Sequence, residues 1–291
     1  MSNRWIPAGR SSNDRRRFYW GEPKPRADSV EVIIRPTRHD AAFLIAQLVE
    51  AQIIAHPDVV LGLATGESME PVYKLLCDAH RNYGLSFSGV RTFNLDEYVG
   101  LAADDPGSYR SYMEAHLFSQ IDIEANNTHL PNGMAADLEA ECDNYERSIA
   151  ESGGIDLQLL GIGRVGHIGF NEPLSALRSR TRAKALSPAT IEQNAAHFGG
   201  DHSKVPHRAI TMGVGTILDS RRCLLLATGA EKADIIAKAV EGPVTSMISA
   251  SALQLHPRCT VVVDEDAAAK LSQQEYYRWI FENEPEWKPF Q

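Results

Sequence analysis

Three acid–base side chains draw attention because each follows closely on an apolar run. The stretch GIGRVGHIGFNEP at 161–173 carries His167 and Glu172 behind the run IDLQLL, and VRTFNL at 90–95 leads straight into Asp96, Glu97 and Tyr98. Imidazole is the side chain best suited to move a proton near neutral pH, and a nearby carboxylate would fix its tautomer and raise its basicity. A carboxylate that takes a carbon-bound proton beside a carbonyl works from a partly desolvated pocket, where its own basicity is raised. Of the acidic pair, Asp96 is the expected base, while Glu97 is free to point back to a neighbouring helix. The plainer alternatives are a histidine hydrogen-bonded inside its turn and an aspartate that caps a helix. Residue type and spacing alone leave both open.

The 161–173 stretch also contains a literal G-x-G-x-x-G. A dinucleotide fingerprint must open a helix and be followed about 20 residues later by an acidic residue at the end of the next strand. Here HIGFNEP follows, Pro173 interrupts regular structure and no strand is expected before 207, so a dinucleotide is not the expected ligand. What remains is a glycine turn, Gly163 included, that brings backbone close to a ligand.

Two more turns suit an anion. Thr65, Gly66, Glu67 and Ser68 stand between the run LGLA and the helix pattern VYKLLCDAHR, so a hydroxyl and free N–H groups meet at a helix N-terminus. Glu67 and Glu70 oppose a phosphate there unless they turn outward. The turn TGAEKA at 228–233 supplies Lys232 at the start of another helix, where a surface lysine is the plainer reading.

Apolar runs recur at 29–34, 58–65, 90–95, 155–163, 208–214, 222–229 and 258–265, with helix-period segments such as 39–55, 69–82, 137–152 and 231–240 between most of them. That alternation predicts an α/β fold with a doubly wound, mostly parallel sheet and helices on both faces. Ligands of such sheets sit outside the carboxyl ends of the strands, which singles out the loops 65–71, 94–100, 161–173 and 228–232. The polar segment at about 174–207 shows no clear strand and reads as a helical or mobile insert over the site, a lid. The expected organisation is one α/β domain over 29–291 with that lid, behind a basic extension over 1–28.

The chain has 291 residues, and its hydrophobic fraction of 43% is ordinary for a globular core. No run approaches the ~18 apolar residues of a membrane helix, and the N-terminus lacks the apolar segment of a secretory signal, so a cytoplasmic protein is expected. Cys77, Cys142, Cys223 and Cys259 show no C-x-x-C spacing and read as buried free thiols, implying neither zinc nor disulfides. A formal charge of −9 argues against a nucleic-acid partner. The Arg4, Arg10, Arg15, Arg16 and Arg17 concentration reads as a solvated tail, or as an arm packing on a neighbouring subunit of a homo-oligomer.

Taken together, LGLATG at 61–66, FNLDEYVGL at 93–101, SYRSYM at 108–113, LPNG at 130–133, GHIGFNEP at 166–173, SRTRAK at 179–184 and MGVGTILDSRRCLLLATGAEKA at 212–233 resemble the glucosamine-6-phosphate deaminase/isomerase family. The resemblance continues through AVEGPVTSMISASALQLHP at 239–257 and covers most of the chain. It implies a Rossmann-like fold, no metal or organic cofactor, and conversion of an aldose amino sugar phosphate to fructose 6-phosphate and ammonia. It also implies that Asp96 moves the C2 proton to C1, that His167 assists ring opening and that Glu172 supports the histidine. Thr65 to Ser68 and Lys232 match phosphate-binding positions. Ser175, Arg182 and Lys184 match positions where some members bind an allosteric sugar phosphate, although Ala176 departs from the usual serine.

The chain departs from the family pattern at the site itself. Val165 replaces a polar residue two positions before the histidine, Glu67 occupies a small-residue position of the phosphate turn, and Ala196 stands where a phosphate arginine is expected. An arginine–phosphate contact is worth ~1.5–3 kcal/mol. Either the phosphate is held differently, with His197 or Arg208 as compensating groups, or the substrate lacks one. Two alternatives stand beside the deaminase reading: a hydrolase of the 6-phosphogluconolactonase type, which would use the loop histidine to activate water, and a sugar-phosphate-binding regulator without turnover.

Overall fold

Runs of Val, Ile and Leu become strands here because the interior of a parallel sheet buries both of their faces. The computed structural model describes residues 30–291, so the basic extension and its arginines lie outside the described residues. Strands β1 (Glu31–Arg35), β2 (Val60–Leu63), β3 (Arg91–Asn94), β5 (Thr128–His129), β6 (Leu157–Leu160), β9 (Cys223–Ala227) and β10 (Cys259–Asp264) form one seven-stranded sheet. Its order is β1-β10-β9-β6-β2-β3-β5 and every pairing is parallel.

The helices around the sheet start and stop where local chemistry dictates. Thr37 caps α1 (Arg38–Ala55) by accepting the Asp40 N–H at 3.1 Å, and Asp137 caps α4 (Leu138–Glu151) through the N–H groups of Glu139 and Ala140 at 3.0 Å. Helix α2 (Glu70–Tyr83) ends on Gly84 in the left-handed conformation at φ 71°. The remaining helices are α3 (Tyr109–His116), α5 (Pro188–Asn194), α6 (Val214–Leu218), α7 (Ala233–Val240), α8 (Glu265–Ala268) and α9 (Gln274–Asn283). The four cysteines are buried and free. No helix of the described residues is long and apolar enough to cross a membrane.

Two expectations need correction. The run at 208–214 does not enter the parallel sheet. As β8 (Arg208–Thr211) it lies between β4 (Asp96–Tyr98) and β7 (Arg182–Ala185) in a separate antiparallel sheet. The segment 174–207 is not strandless, because it contributes β7 before continuing as α5 and the short 3-10 turns Ala195–Phe198 and His202–Lys204. The β7 sequence RAKA has no apolar run and ends exposed, so its extended form comes from pairing with β8 and not from its own composition.

Strand order reverses between β2 and β6: from β2 the chain goes on to β3 and β5 on one side, and from β6 to β9 and β10 on the other. A crevice outside the carboxyl ends opens at such a reversal. One residue beyond β3, Leu95 stitches the two sheets together. Its N–H donates to the Leu63 carbonyl at 3.0 Å and its own carbonyl accepts the Met212 N–H at 2.7 Å. Asp96 follows immediately, paired with Thr211.

Gly133 guards this crossing from outside. Its carbonyl accepts the Gly100 N–H at 3.0 Å, and a methyl group on it would stand 1.9 Å from the Tyr98 carbonyl oxygen. Gly133→Ala is expected to force β4 out of place and destabilise the protein by about 1–3 kcal/mol, the usual cost of overpacking. Thermal unfolding checks this, and an unchanged Tm would show that the crossing yields freely.

Candidate active site

Successive residues of a strand face opposite ways, so Asp96 and Glu97 part company on β4. Glu97 turns to the start of α3, where Oε1 accepts the N–H groups of Tyr98 at 2.8 Å and Tyr109 at 3.0 Å, and Oε2 accepts that of Arg110 at 2.9 Å. Asp96 turns to the 167–171 segment: a methyl on Gly169 would lie 3.2 Å from its Oδ2 and 2.9 Å from Thr211 Oγ1. Burial of Asp96, reinforced by the Glu97 charge and opposed by the Phe170 N–H, pushes its carboxyl up to about 8. Tyr98, Tyr109 and Tyr145 all lie within its electrostatic reach. A carboxyl poised there can both take and return a proton near neutral pH.

The glycine turn after β6 is closed by its own backbone. Gly163 N–H donates to the His167 carbonyl and Gly166 N–H to the Gly163 carbonyl, both at 2.9 Å, with Gly166 at φ 84°. The imidazole folds back over Gly163, so that a methyl there would stand 2.1 Å from Nε2. On the other side Nδ1 faces Glu172 Oε2 at 3.7 Å, and neither atom has another hydrogen-bond partner among the described residues. Glu172 Oε1 accepts the N–H of Ser187, the cap residue of α5, at 2.9 Å. Burial lowers the His167 pKa, with the Glu172 charge working against that and the Lys232 charge with it. The ring is therefore neutral near pH 7 and keeps a lone pair for proton transfer.

Residues 167–172 thus hold the imidazole at one end and the Glu172 carboxylate at the other, with Gly169 against Asp96 between them. Arg182 and three side chains that sequence reasoning did not single out fix this segment. Thr211 Oγ1 accepts the Phe170 N–H at 3.0 Å. Ser249 Oγ accepts from Ile168 N–H at 3.2 Å and donates to the Asn171 carbonyl at 2.9 Å. Asn171 Nδ2 donates to the carbonyls of Ile168 and Met212 at 2.8 Å, and Arg182 Nη1 donates to Asn171 Oδ1 at 2.8 Å. Arg182 was singled out only for its resemblance to an allosteric position. Asn171, within the quoted GFNEP, had a signal; Thr211 and Ser249 are isolated hydroxyls with none.

The expected anion-binding residues divide between two neighbouring turns. Lys232 is not a loose surface lysine: it is half-buried and Nζ donates to the Ile162 carbonyl at 2.8 Å. Burial lowers its pKa, the charges of Glu231 and Glu67 raise it and that of Arg164 lowers it. In the other turn Gly66 adopts φ 109°, and its carbonyl accepts from Tyr112 Oη and Met69 N–H, both at 2.9 Å. Met69 begins α2 without a side-chain cap, Thr65 lies within hydrogen-bonding reach of the Tyr109 hydroxyl, Ser68 is half-buried and Glu67 is exposed. Ala196 and His197 stand exposed on the turn after α5, and Arg208 opens β8 at the end away from Thr211.

The remaining trio is partly assembled. Arg182 Nη2 donates to Ser175 Oγ at 3.0 Å, and Lys184 is exposed two residues further along β7.

Fold and site together define a Rossmann-like α/β protein whose acid–base side chains gather outside the carboxyl ends of its central strands. The chain belongs to the glucosamine-6-phosphate isomerases/6-phosphogluconolactonase family, whose sequence profile matches residues 37–262. It is 55% identical over 224 residues to the glucosamine-6-phosphate deaminase of Hahella chejuensis, which covers 77% of this chain and 85% of that protein. It is 48% identical over 259 residues to the glucosamine-6-phosphate deaminase of Arthrobacter sp. strain FB24, covering 89% and 99% of the two chains. The solved structure of a monomeric glucosamine-6-phosphate deaminase superimposes with a TM-score of 0.81 at 44% identity, covering 83% of this chain and all of the other.

Two outcomes follow from this geometry. Gly163→Ala should push the imidazole off its seat, and displacing a reacting group by about 1 Å costs on the order of a hundredfold in turnover. Steady-state rates with a matched Tm measurement check it, and full activity would mean that the ring position is not critical. The second concerns stability. Asp96 is raised in the folded state from its ordinary 3.8 to about 8, so the stability its protonated form supports is complete below 3.8 and lost as pH rises through 8. Asp96→Asn, never charged, should melt above the parent at about pH 9, with the gap closing below about pH 4. A variant that melts lower at both values would contradict the burial argument.

Proposed function

We propose that the chain acts as a glucosamine-6-phosphate deaminase, converting the aldose amino sugar phosphate to fructose 6-phosphate and ammonia. The observation that carries this reading is the buried Asp96 carboxyl on β4, raised to about 8 and facing, at Gly169, the short segment that bears the His167–Glu172 pair. Two relatives about half identical over most of both chains bear the same name.

In this reading neutral His167 takes the C1 hydroxyl proton and returns it to the ring oxygen as the C1–O5 bond breaks, giving the open aldehyde. Glu172 orients the ring and stabilises the imidazolium that forms on the way. Asp96, as carboxylate, takes the C2 proton, and the electrons of that bond form the C1–C2 double bond. The C1 carbonyl pair moves onto O1, and O1 takes one proton from the sugar's ammonium, giving a neutral enolamine. The ammonium of the sugar favours the charged carboxylate during this step. Asp96 then returns the proton to C1, leaving an iminium at C2, and water adds there to release ammonia and the ketose. Thr65, Gly66, Ser68 and Gly163 present backbone and hydroxyl groups to the substrate, with Lys232 at its phosphate and Glu67 at the rim.

The 174–207 segment serves as a lid in a single α/β domain, since Ser187 at the head of α5 is bonded directly to Glu172. Ser175, Arg182 and Lys184 offer a second place for an anion beside it. Four buried free thiols fit a cytoplasmic setting.

The test is a panel of 2-amino-2-deoxy sugars, each with and without a 6-phosphate, with 6-phosphogluconolactone as a further arm. Ammonia and fructose 6-phosphate should appear in equal amounts from glucosamine 6-phosphate, and Asp96→Asn should abolish proton exchange at C2. Because the free enzyme must carry Asp96 as carboxylate, kcat/KM should climb with pH toward a limb near 8. Acid release from the lactone without ammonia, or ketose without ammonia, would displace the proposal.

A further inference from the structure

The order β9-β6-β2 sets three loops side by side, and the middle one, after β6, carries a residue with no role so far. Lys232, after β9, reaches across to the Ile162 carbonyl of that middle loop at 2.8 Å. Glu67, after β2, lies on the other flank and still within electrostatic reach of Lys232. Between them, two residues beyond Ile162, stands Arg164. It is exposed, within electrostatic reach of Lys232, and forms no hydrogen bond or ion pair among the described residues. Adjacent strands lie only about 4.8 Å apart, which brings a long guanidinium side chain within range of both flanking loops.

Charge and donor counts show why a second cation is required here. A phosphate monoester carries about −1.5 to −2 near neutral pH. Lys232 offers one positive charge and has already committed one of its three N–H donors to Ile162. Glu231 beside it and Glu67 on the opposite flank both offset part of that charge. Exposed His197, on the turn after α5, belongs to none of these three loops, and Arg208 lies at the end of β8 remote from the Asp96–Thr211 pair. Arg164 alone adds a cation on the loop that already holds the catalytic histidine, and its planar fork matches two phosphate oxygens at once.

We propose that Arg164 is a phosphate ligand of the substrate site, paired with Lys232 across the β6 and β9 loops, and that Glu67 opposite them weakens the same contact. The phosphate is thereby gripped from the loop that bears His167, so that binding its 6-phosphate end sets the distance from C1 to the imidazole. Glu67 penalises ligands of lower negative charge less than it penalises the dianion, which makes it the residue that tunes affinity. This inference rests on the deaminase reading for its substrate but not for its anion.

The experiment compares the parent with Arg164→Gln, Arg164→Lys and Glu67→Gln, all checked for an unchanged Tm. Two readouts are used: KM and kcat with glucosamine 6-phosphate, and the dissociation constant of inorganic phosphate from calorimetry. Arg164→Gln should weaken both phosphate binding and KM by about ten- to a hundredfold, the loss of one bidentate charge-assisted contact. Arg164→Lys should recover part of that loss, and Glu67→Gln should tighten both. Salt should erode the parent's affinity more steeply than that of Arg164→Gln. If the parent releases no ammonia, the deaminase reading fails while the phosphate titration still decides the role of Arg164. A KM and a phosphate affinity that stay within twofold in Arg164→Gln would overturn the inference.

Discussion

The site depends on keeping one carboxylate out of water where the chain leaves one sheet for another. Leu95 spends its N–H on the large sheet and its carbonyl on Met212 at the edge of the small one, so the residue after it has no freedom to swing outward. Asp96 is consequently buried to 6% exposure beside Glu97. A hydrated aspartate is a weak base, and this enclosure makes Asp96 a stronger one. The same enclosure is costly, since a charged carboxylate with one opposing N–H is poorly compensated. The surrounding hydrogen bonds of Thr211, Asn171 and Ser249 read as the scaffold that holds such an unfavourable arrangement in place.

How far the sequence shows this is a matter of how local each signal is. The parallel strands were legible because runs such as TVVVD and LLLA are buried on both faces and carry their own signal. Asp96 and His167 were legible because they stand just beyond such runs, where open α/β sheets place their ligands. Strand β4 is only three residues long, and β7 is RAKA, so neither has a periodicity to read; both exist through pairing with β8. The half-buried state of Lys232 was hidden for a similar reason. Its partner is a backbone carbonyl seventy positions away, which no residue type announces.

Local chemistry also explains why two adjacent acids have separate fates. Glu97 accepts three backbone N–H groups, two at the head of α3 and that of Tyr98 on its own strand, a setting that serves a charged carboxylate, although burial still raises its pKa. Among the described residues the backbone N–H that opposes the burial of Asp96 is that of Phe170, and that amide already donates to Thr211. One acid is thus a structural anchor and a source of negative potential, while the other is left able to change its protonation state. The pair works because strand alternation prevents them from exchanging roles.

Val165, half-buried beside Gly166, contributes no polar group to the histidine, so its basicity is left to Glu172. Nδ1 and Oε2 stand 3.7 Å apart, and an approach of about 0.8 Å would make a charge-assisted hydrogen bond. Glu172 is not free to make that approach alone, because its other oxygen is held by the Ser187 N–H at the cap of α5. The placement of α5 therefore helps set how closely the carboxylate approaches the imidazole. Glu172 in this way links the imidazole to the head of α5, one carboxylate with two oxygens and two obligations.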